Sequence, residues 1–234
     1  MNVIEFRPVL ENTYFIEPKP AIESLPDWYK NSKTFLDNKK YHMLFPTKRP
    51  TITYKKCAPF LDALSFGYLI FLNHDLYVDQ TGESEYYIQW RIPDKPPVGS
   101  LEQIQIRGMQ IDTDTYSSIP YRWHNMFYIK TKPGYSCLIT HPLNRLDLPF
   151  MTLSGVVDTD KHGIDISFPF LLKNSFNGII ERGTPIAQVI PFKRQNWKMR
   201  FGDFYKENVY KTEEFLSYAM NGYRKLSWSR KSYR

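Results

Sequence analysis

Between residues 50 and 193 the chain is broken into short apolar runs, each bounded for the most part by Gly, Pro, Asn or Asp. The runs are TITYKK, GYLIFL, YYIQWRI, IQIRGMQI, MFYIKT, YSCLIT, MTLSGVV, IDISFPF and PIAQVIPF. They are rich in β-branched and aromatic residues, and their length and spacing predict strands. An all-β core over 51–193 follows. Residues 1–50 read differently, because Pro8, Pro18, Pro20, Pro26, Pro46 and Pro50 divide them into extended pieces. A Pro-rich arm wrapping the core is expected, with one short helix after Ser24, where Pro26 suits a first turn. In the last segment, 194–234, Thr212 is a fair N-cap and Glu213 and Glu214 favour the positive end of a helix. Leu216, Ala219, Met220 and Tyr223 then recur at three or four residues, so a C-terminal helix is predicted, ended at least in part by Asn221-Gly222.

Composition narrows the class. A chain of 234 residues with 42% hydrophobic residues is long enough to close a core. No stretch reaches the roughly 18 apolar residues of a membrane-spanning helix. The start, MNVIEFRPVL, lacks a basic region followed by an apolar run, so no leader and a cytoplasmic location are expected. Cys57 and Cys137 stand far apart without metal-binding spacing, which argues against a disulfide framework or zinc site and predicts two buried thiols. Five histidines show no HxH or HExxH pattern, there is neither a P-loop nor GxSxG, and no metal site is predicted.

The net charge of +7 is unevenly placed. Basic minus acidic residues come to 8 minus 6 over 1–50, 13 minus 14 over 51–193 and 10 minus 4 over 194–234. The end, RKLSWSRKSYR, has five cations and no acid. Arg224, Lys225, Arg230 and Lys231, with Trp228 among them, are candidate contacts to nucleic acid through phosphates and stacked bases. The alternative is a surface tail, or one packed on a neighbouring subunit, and Leu226, Trp228 and Tyr233 favour packing.

The densest chemistry lies in 131–194. Pro133-Gly134 turns into a strand that ends at His141-Pro142, and a later strand runs into Gly155-Val156-Val157-Asp158-Thr159-Asp160, which sets two acids on a tight turn. Arg182-Gly183-Thr184-Pro185 joins the last two strands, the second of which contains Gln188.

GVVDTDKHG (155–163) and GTPIAQV (183–189) resemble the dUTPase segments of the type GVIDSDYRG and GDRIAQL. His141 to Arg145 and Val157 to Asp160 keep the register of the SSLAR and IDPG segments of dCTP deaminases. The chain therefore resembles the superfamily of trimeric dUTPases and dCTP deaminases over about a quarter of its length. The resemblance implies that the mainly β core, with its extended N-terminal arm and C-terminal helix, is a β-clip, assembled as a homotrimer with sites between subunits. It places Asp158 where the dUTPases activate water, Gln188 where they contact phosphate and Arg145 where the deaminases keep a catalytic arginine. Lys161 and Asp160 stand beside them as further ligand-binding candidates. Turn bonding for the two acids, pairing with a neighbouring strand for Gln188 and an interface bridge for Arg145 are the structural alternatives.

Several positions depart from the family pattern. Lys161 replaces the tyrosine that lies against deoxyribose, His162 the neighbouring arginine, and Phe168 the deaminase glutamate. The glycine-rich phosphate-covering tail is missing. A phenylalanine moves no proton, so deamination is not expected. The expected function is a divergent nucleotide- or phosphate-ligand-binding member with weak or no pyrophosphatase activity, using magnesium only if a nucleoside triphosphate is bound. The alternative is a non-catalytic structural, assembly or regulatory oligomer module.

Overall fold

The computed structural model describes residues 2–11, 15–36, 51–79, 87–89, 96–202 and 222–233. It is mainly β, built from antiparallel sheets. One sheet runs in the order β13 (Gly155–Val157), β11 (Tyr135–Thr140), β16 (Pro185–Lys193), β5 (Tyr68–Phe71) and β2 (Lys19–Pro20). A second runs β12 (Phe150–Thr152), β14 (Ser167–Lys173), β9 (Tyr116–His124) and β8 (Val98–Ser100). A third holds β15 (Gly178–Ile180), β6 (Leu76–Asp79) and β7 (Tyr87–Gln89). Two-stranded ribbons join β1 (Ile4–Pro8) to β10 (Phe127–Thr131) and β3 (Phe35–Leu36) to β4 (Thr51–Ile52).

Burial explains why these runs are strands. In β10, Phe127, Ile129 and Thr131 are buried while Tyr128 and Lys130 are exposed, the two-residue period of a half-covered strand. In β16, Pro185 to Ile190 are all buried, because this strand is paired by both β11 and β5 and covered on both faces. One core cluster draws on the two larger sheets and on β6 and β15. At its centre the fully buried Trp123 stacks on Phe170 at 3.7 Å between ring centres and meets Phe150 edge-on at 4.9 Å. Its indole N–H donates to Thr152 Oγ1 at 3.1 Å, and that hydroxyl donates to the Ile186 carbonyl at 2.6 Å. The core therefore carries a satisfied polar link between its two layers.

The N-terminal segment adds strands to this body: β1 pairs along all of β10, and β2 caps the edge of β5. The helix expected after Ser24 is present as a 3-10 turn at Ala21–Ser24 followed by α1 (Asp27–Lys30). Two local expectations are corrected. The run IQIRGMQI is not a strand but a 3-10 turn at Gln103–Ile106. Glu102 and Gln105 bond reciprocally across that turn, and Gly108, at φ +92°, directs the chain away afterwards. The start of TITYKK pairs only as the two-residue β4, then enters a 3-10 turn at Tyr54–Lys56 and α2 (Ala58–Ser65), a helix signalled by Pro59 in its first turn.

Of the two thiols, Cys137 is buried, and burial pushes it up to about 11, but Cys57 is exposed because it sits at the N-terminus of α2. After α2 the chain turns at Gly67, φ +71°, where an added Cβ would lie 2.2 Å from the Val189 carbonyl oxygen. Glycine is required there both for the backbone conformation and for the close approach of β16. Most of the predicted C-terminal helix, 212–221, lies outside the described residues. Helix is observed at α3 (Gly222–Leu226), at the C-terminal end of the predicted segment. Among the described residues no helix is long and apolar enough to cross a membrane.

Candidate functional site

Asp158 and Asp160 follow β13 on the predicted turn, whose backbone is closed by Lys161 and His162 N–H groups donating to the Asp158 carbonyl at 2.9 Å. The turn lies against the opposite end of the neighbouring strands, where Arg194 leaves β16. Arg194 Nη1 donates to Asp160 Oδ1 at 2.8 Å and lies 3.2 Å from Asp158 Oδ1, while Nη2 pairs with Asp160 Oδ2. The same Nη1 reaches the Tyr135 carbonyl and Ser136 Oγ, each at 2.9 Å. Asp160 also accepts the Gly134 N–H at 2.8 Å, and Asp158 accepts the Ser136 hydroxyl at 2.6 Å. One guanidinium thus clasps both acids to the 133–136 turn. Sequence reasoning named the acids but passed over Arg194; the sole sequence signal was a basic residue ending the strand that carries the GTPIAQV segment.

The electrostatics follow from this geometry. Bonding to Arg194, with the Gly134 N–H behind it, holds the Asp160 carboxyl well below its ordinary range. The Ser136 hydroxyl and then Arg194 lower Asp158. A carboxylate held this firmly as an anion is a weak general base, since proton abstraction near neutral pH asks for a higher pKa. Nor does the donor set fit a magnesium ion: the oxygens it would take already face a guanidinium, and a second cation there would be repelled. Among the described residues no group of three or more His, Cys, Asp or Glu is placed to hold a metal. Lys161 is exposed beside the turn, and its charge adds to that of Arg194 in lowering both carboxyls.

Removing the clasp has a testable signature. Because both acids have lowered pKa values when folded, their contribution to stability is present above the ordinary carboxylate range and is lost as pH falls through it. In Arg194→Met the two carboxylates face each other unneutralised. The deficit in melting temperature relative to the parent is expected to be widest near about pH 7 and to shrink below about pH 4, as the acids protonate. Thermal melts across that range check it; a constant deficit would show that Arg194 acts by packing instead.

Gln188 and Arg145 lie at the other end of the sheet. Gln188 pairs with Thr140, whereas the turn acids sit near Ser136, four residues or about 13 Å back along β11. Gln188 is 1% exposed and internally engaged: its Oε1 accepts the Leu143 N–H at 2.7 Å, and its Nε2 donates to the Ala63 carbonyl at 3.0 Å and to that of Phe66. It ties β16 to α2 and to the loop after His141. Arg145 forms a two-pronged pair with Asp147, Nε to Oδ1 at 3.0 Å and Nη2 to Oδ2 at 2.8 Å. Burial acts to raise the Asp147 carboxyl, but the Arg145 bonds outweigh it and leave it lowered. His141 supports the same loop, accepting the Thr152 N–H at Nδ1 and meeting the Arg145 carbonyl with Nε2 at 3.0 Å. Burial lowers its pKa, which agrees with a neutral ring that has an acceptor at Nδ1.

Arg145 and Asp147 line an open cleft of about 530 Å³, together with Trp28 and Asp27 of the N-terminal segment and Arg182 and Thr184 of the turn before β16. Its size suits a small ligand. Asp147 takes the Nε and Nη2 edge of the Arg145 guanidinium, and among the described residues Nη1 has no hydrogen-bond partner. The cleft was not foreseen, since its walls come from segments more than a hundred residues apart.

The basic tail packs on its own chain. Trp228 Nε1 donates to both Asp62 oxygens, at 3.1 and 2.9 Å, and Lys231 pairs with the same carboxylate at 2.6 Å. Arg224 and Lys231 lie 5.2 and 5.5 Å from the Trp228 ring centre. Tyr233 packs edge-on against Phe66 and Tyr68, and burial pushes its hydroxyl up to about 12. Lys225 and Arg230 remain exposed. The sequence matches no family model, and no curated protein matches it.

Proposed function

We propose that this chain is a divergent dUTPase-like protein with a β-clip core, self-associating as a homotrimer, that binds a nucleotide or another phosphate-bearing ligand and has weak or no hydrolytic activity. The observation that carries the binding reading is Arg145: one edge of its guanidinium is fixed by Asp147, Nη1 has no hydrogen-bond partner among the described residues, and the residue lines a 530 Å³ cleft that also contains Arg182 beside Asp27 and Glu181. A guanidinium held in place is a prepared donor to phosphate oxygens. The clasp on Asp158 and Asp160 supports weak hydrolysis, because it engages the carboxylate from which water activation is expected.

Thermal shift with a panel of nucleoside mono-, di- and triphosphates, with and without magnesium, tests this. A ligand at 100 times its dissociation constant is expected to add about 2.7 kcal/mol of stability. Arg145→Ala is expected to abolish the shift, with pyrophosphate release staying at background in both proteins. No shift with any nucleotide would remove the binding reading. The non-catalytic assembly reading has its own support in the row of exposed apolar residues after β16.

A further inference from the structure

Beyond Arg194 the chain leaves the sheet, and residues 195–202 run without helix or strand pairing. Trp197, Met199 and Phe201 in this arm are 88%, 91% and 97% exposed. They fall at alternate positions, so an extended arm presents them on one face and Lys198 and Arg200 on the other. Two aromatic rings and a methionine in a row are the composition of an interface core, and a solitary chain gains nothing by holding them in water.

The same molecule carries a matching receptor. An apolar groove of about 480 Å³ lies between the turn at 101–109 and the ends of β12, β13 and β14, with Leu101, Ile106, Met109, Leu153, Val157 and Phe168 among its walls. The adjoining segment 102–114 is acidic, with Glu102, Asp112 and Asp114 exposed against one basic residue, Arg107. The arm from 195 to 202 has two cations, Lys198 and Arg200, and no acid. Polarity and charge therefore complement each other.

We infer that the 197–201 arm of one copy docks in the groove of a second copy, the apolar face inward and Lys198 and Arg200 towards the acidic rim. Arm and groove are different surfaces, so the contact is head-to-tail, and each copy both donates and receives. Two rings cover roughly 300–500 Å². Counting the groove surface as well gives about 600–1,000 Å² per contact, below a standard stable interface. Closure into a ring, in which every copy makes two such contacts, supplies the remainder. The inference does not rest on the ligand reading, since a protein that binds no nucleotide exchanges arms equally well.

Sedimentation velocity of the full chain tests it. The parent is expected to assemble. The arm variant Trp197→Ser/Met199→Ser/Phe201→Ser and the groove variant Met109→Asp/Leu153→Asp are each expected to sediment as monomers, with circular dichroism confirming that both stay folded. An equimolar mixture of the two variants keeps one intact arm and one intact groove but cannot close a ring, so it is expected to form a two-chain species, and no larger one, only at concentrations well above those at which the parent assembles. A monomeric parent at high micromolar concentration overturns the inference, as does an arm variant that assembles like the parent. A mixture that stays monomeric even at the highest concentration reached, or one that forms species larger than two chains, also overturns it, because association then uses another surface.

Discussion

Trp123→Ala is expected to remove about 3–5 kcal/mol of folding stability, the cost of emptying a fully buried tryptophan site. That is a large share of the 5–15 kcal/mol typical of a domain. The site cannot collapse easily, because Phe170 lies flat against the indole, Phe150 meets its edge, and both belong to paired strands. Alanine also leaves Thr152 Oγ1 without its donor while that hydroxyl remains bound to Ile186. Trp123→Phe keeps most of the apolar contact and is expected to cost about 1–2 kcal/mol. Urea denaturation of the three proteins checks the order; equal losses for Phe and Ala would show that the indole N–H, and not its packing, dominates.

Gln188→Leu comes next in size. Leucine fills a similar volume but orphans the Leu143 N–H and the Phe66 carbonyl, and leaves the Ala63 carbonyl only the long 3.5 Å bond from the Phe66 N–H. Each unsatisfied buried group costs about 1–3 kcal/mol, and with partial relaxation a loss of about 2–4 kcal/mol is expected. Gln188→Glu adds a pH signature. The new carboxyl still accepts from Leu143, but its second oxygen faces two carbonyls and favours the protonated form. Its folded pKa is therefore raised, so the variant is expected to be most stable below the ordinary glutamate pKa of about 4.3 and to lose stability as pH rises. Denaturation in the absence of any ligand is the measurement. A loss under about 1 kcal/mol for Gln188→Leu would show that the bridge is dispensable.

Among the candidate residues, legibility followed distance along the chain. The turn at Asp158 to Asp160 was readable because an apolar run, two acids and a glycine lie within nine residues. Its meaning was not, since Arg194 arrives from a strand 34 residues later and only the β11–β16 register brings it to the acids. Gln188 was readable as a marked residue in an apolar strand, yet what it bonds depends on α2, more than a hundred residues earlier. The run at 104–111 was misread because its apolar residues mimic a strand, while the reciprocal bonds of Glu102 and Gln105 and the turn at Gly108 decide otherwise. The tail behaved similarly: its apolar residues pointed to packing, and Asp62 on the chain's own helix proved to be the anchor.

By itself the sequence determined the class of this protein: short aromatic and β-branched runs punctuated by turn residues bury their apolar faces by pairing as strands, and that pattern is local. It also determined where the charge lies and which turn carries two acids. Tertiary structure alone decided that those acids are clasped, that Gln188 is a bridge, and that Arg145 lines a cleft assembled from four separate segments. The physical reason is that strand propensity is set by neighbours in sequence, whereas hydrogen bonds and ion pairs are set by register between strands, and register is a property of the whole sheet.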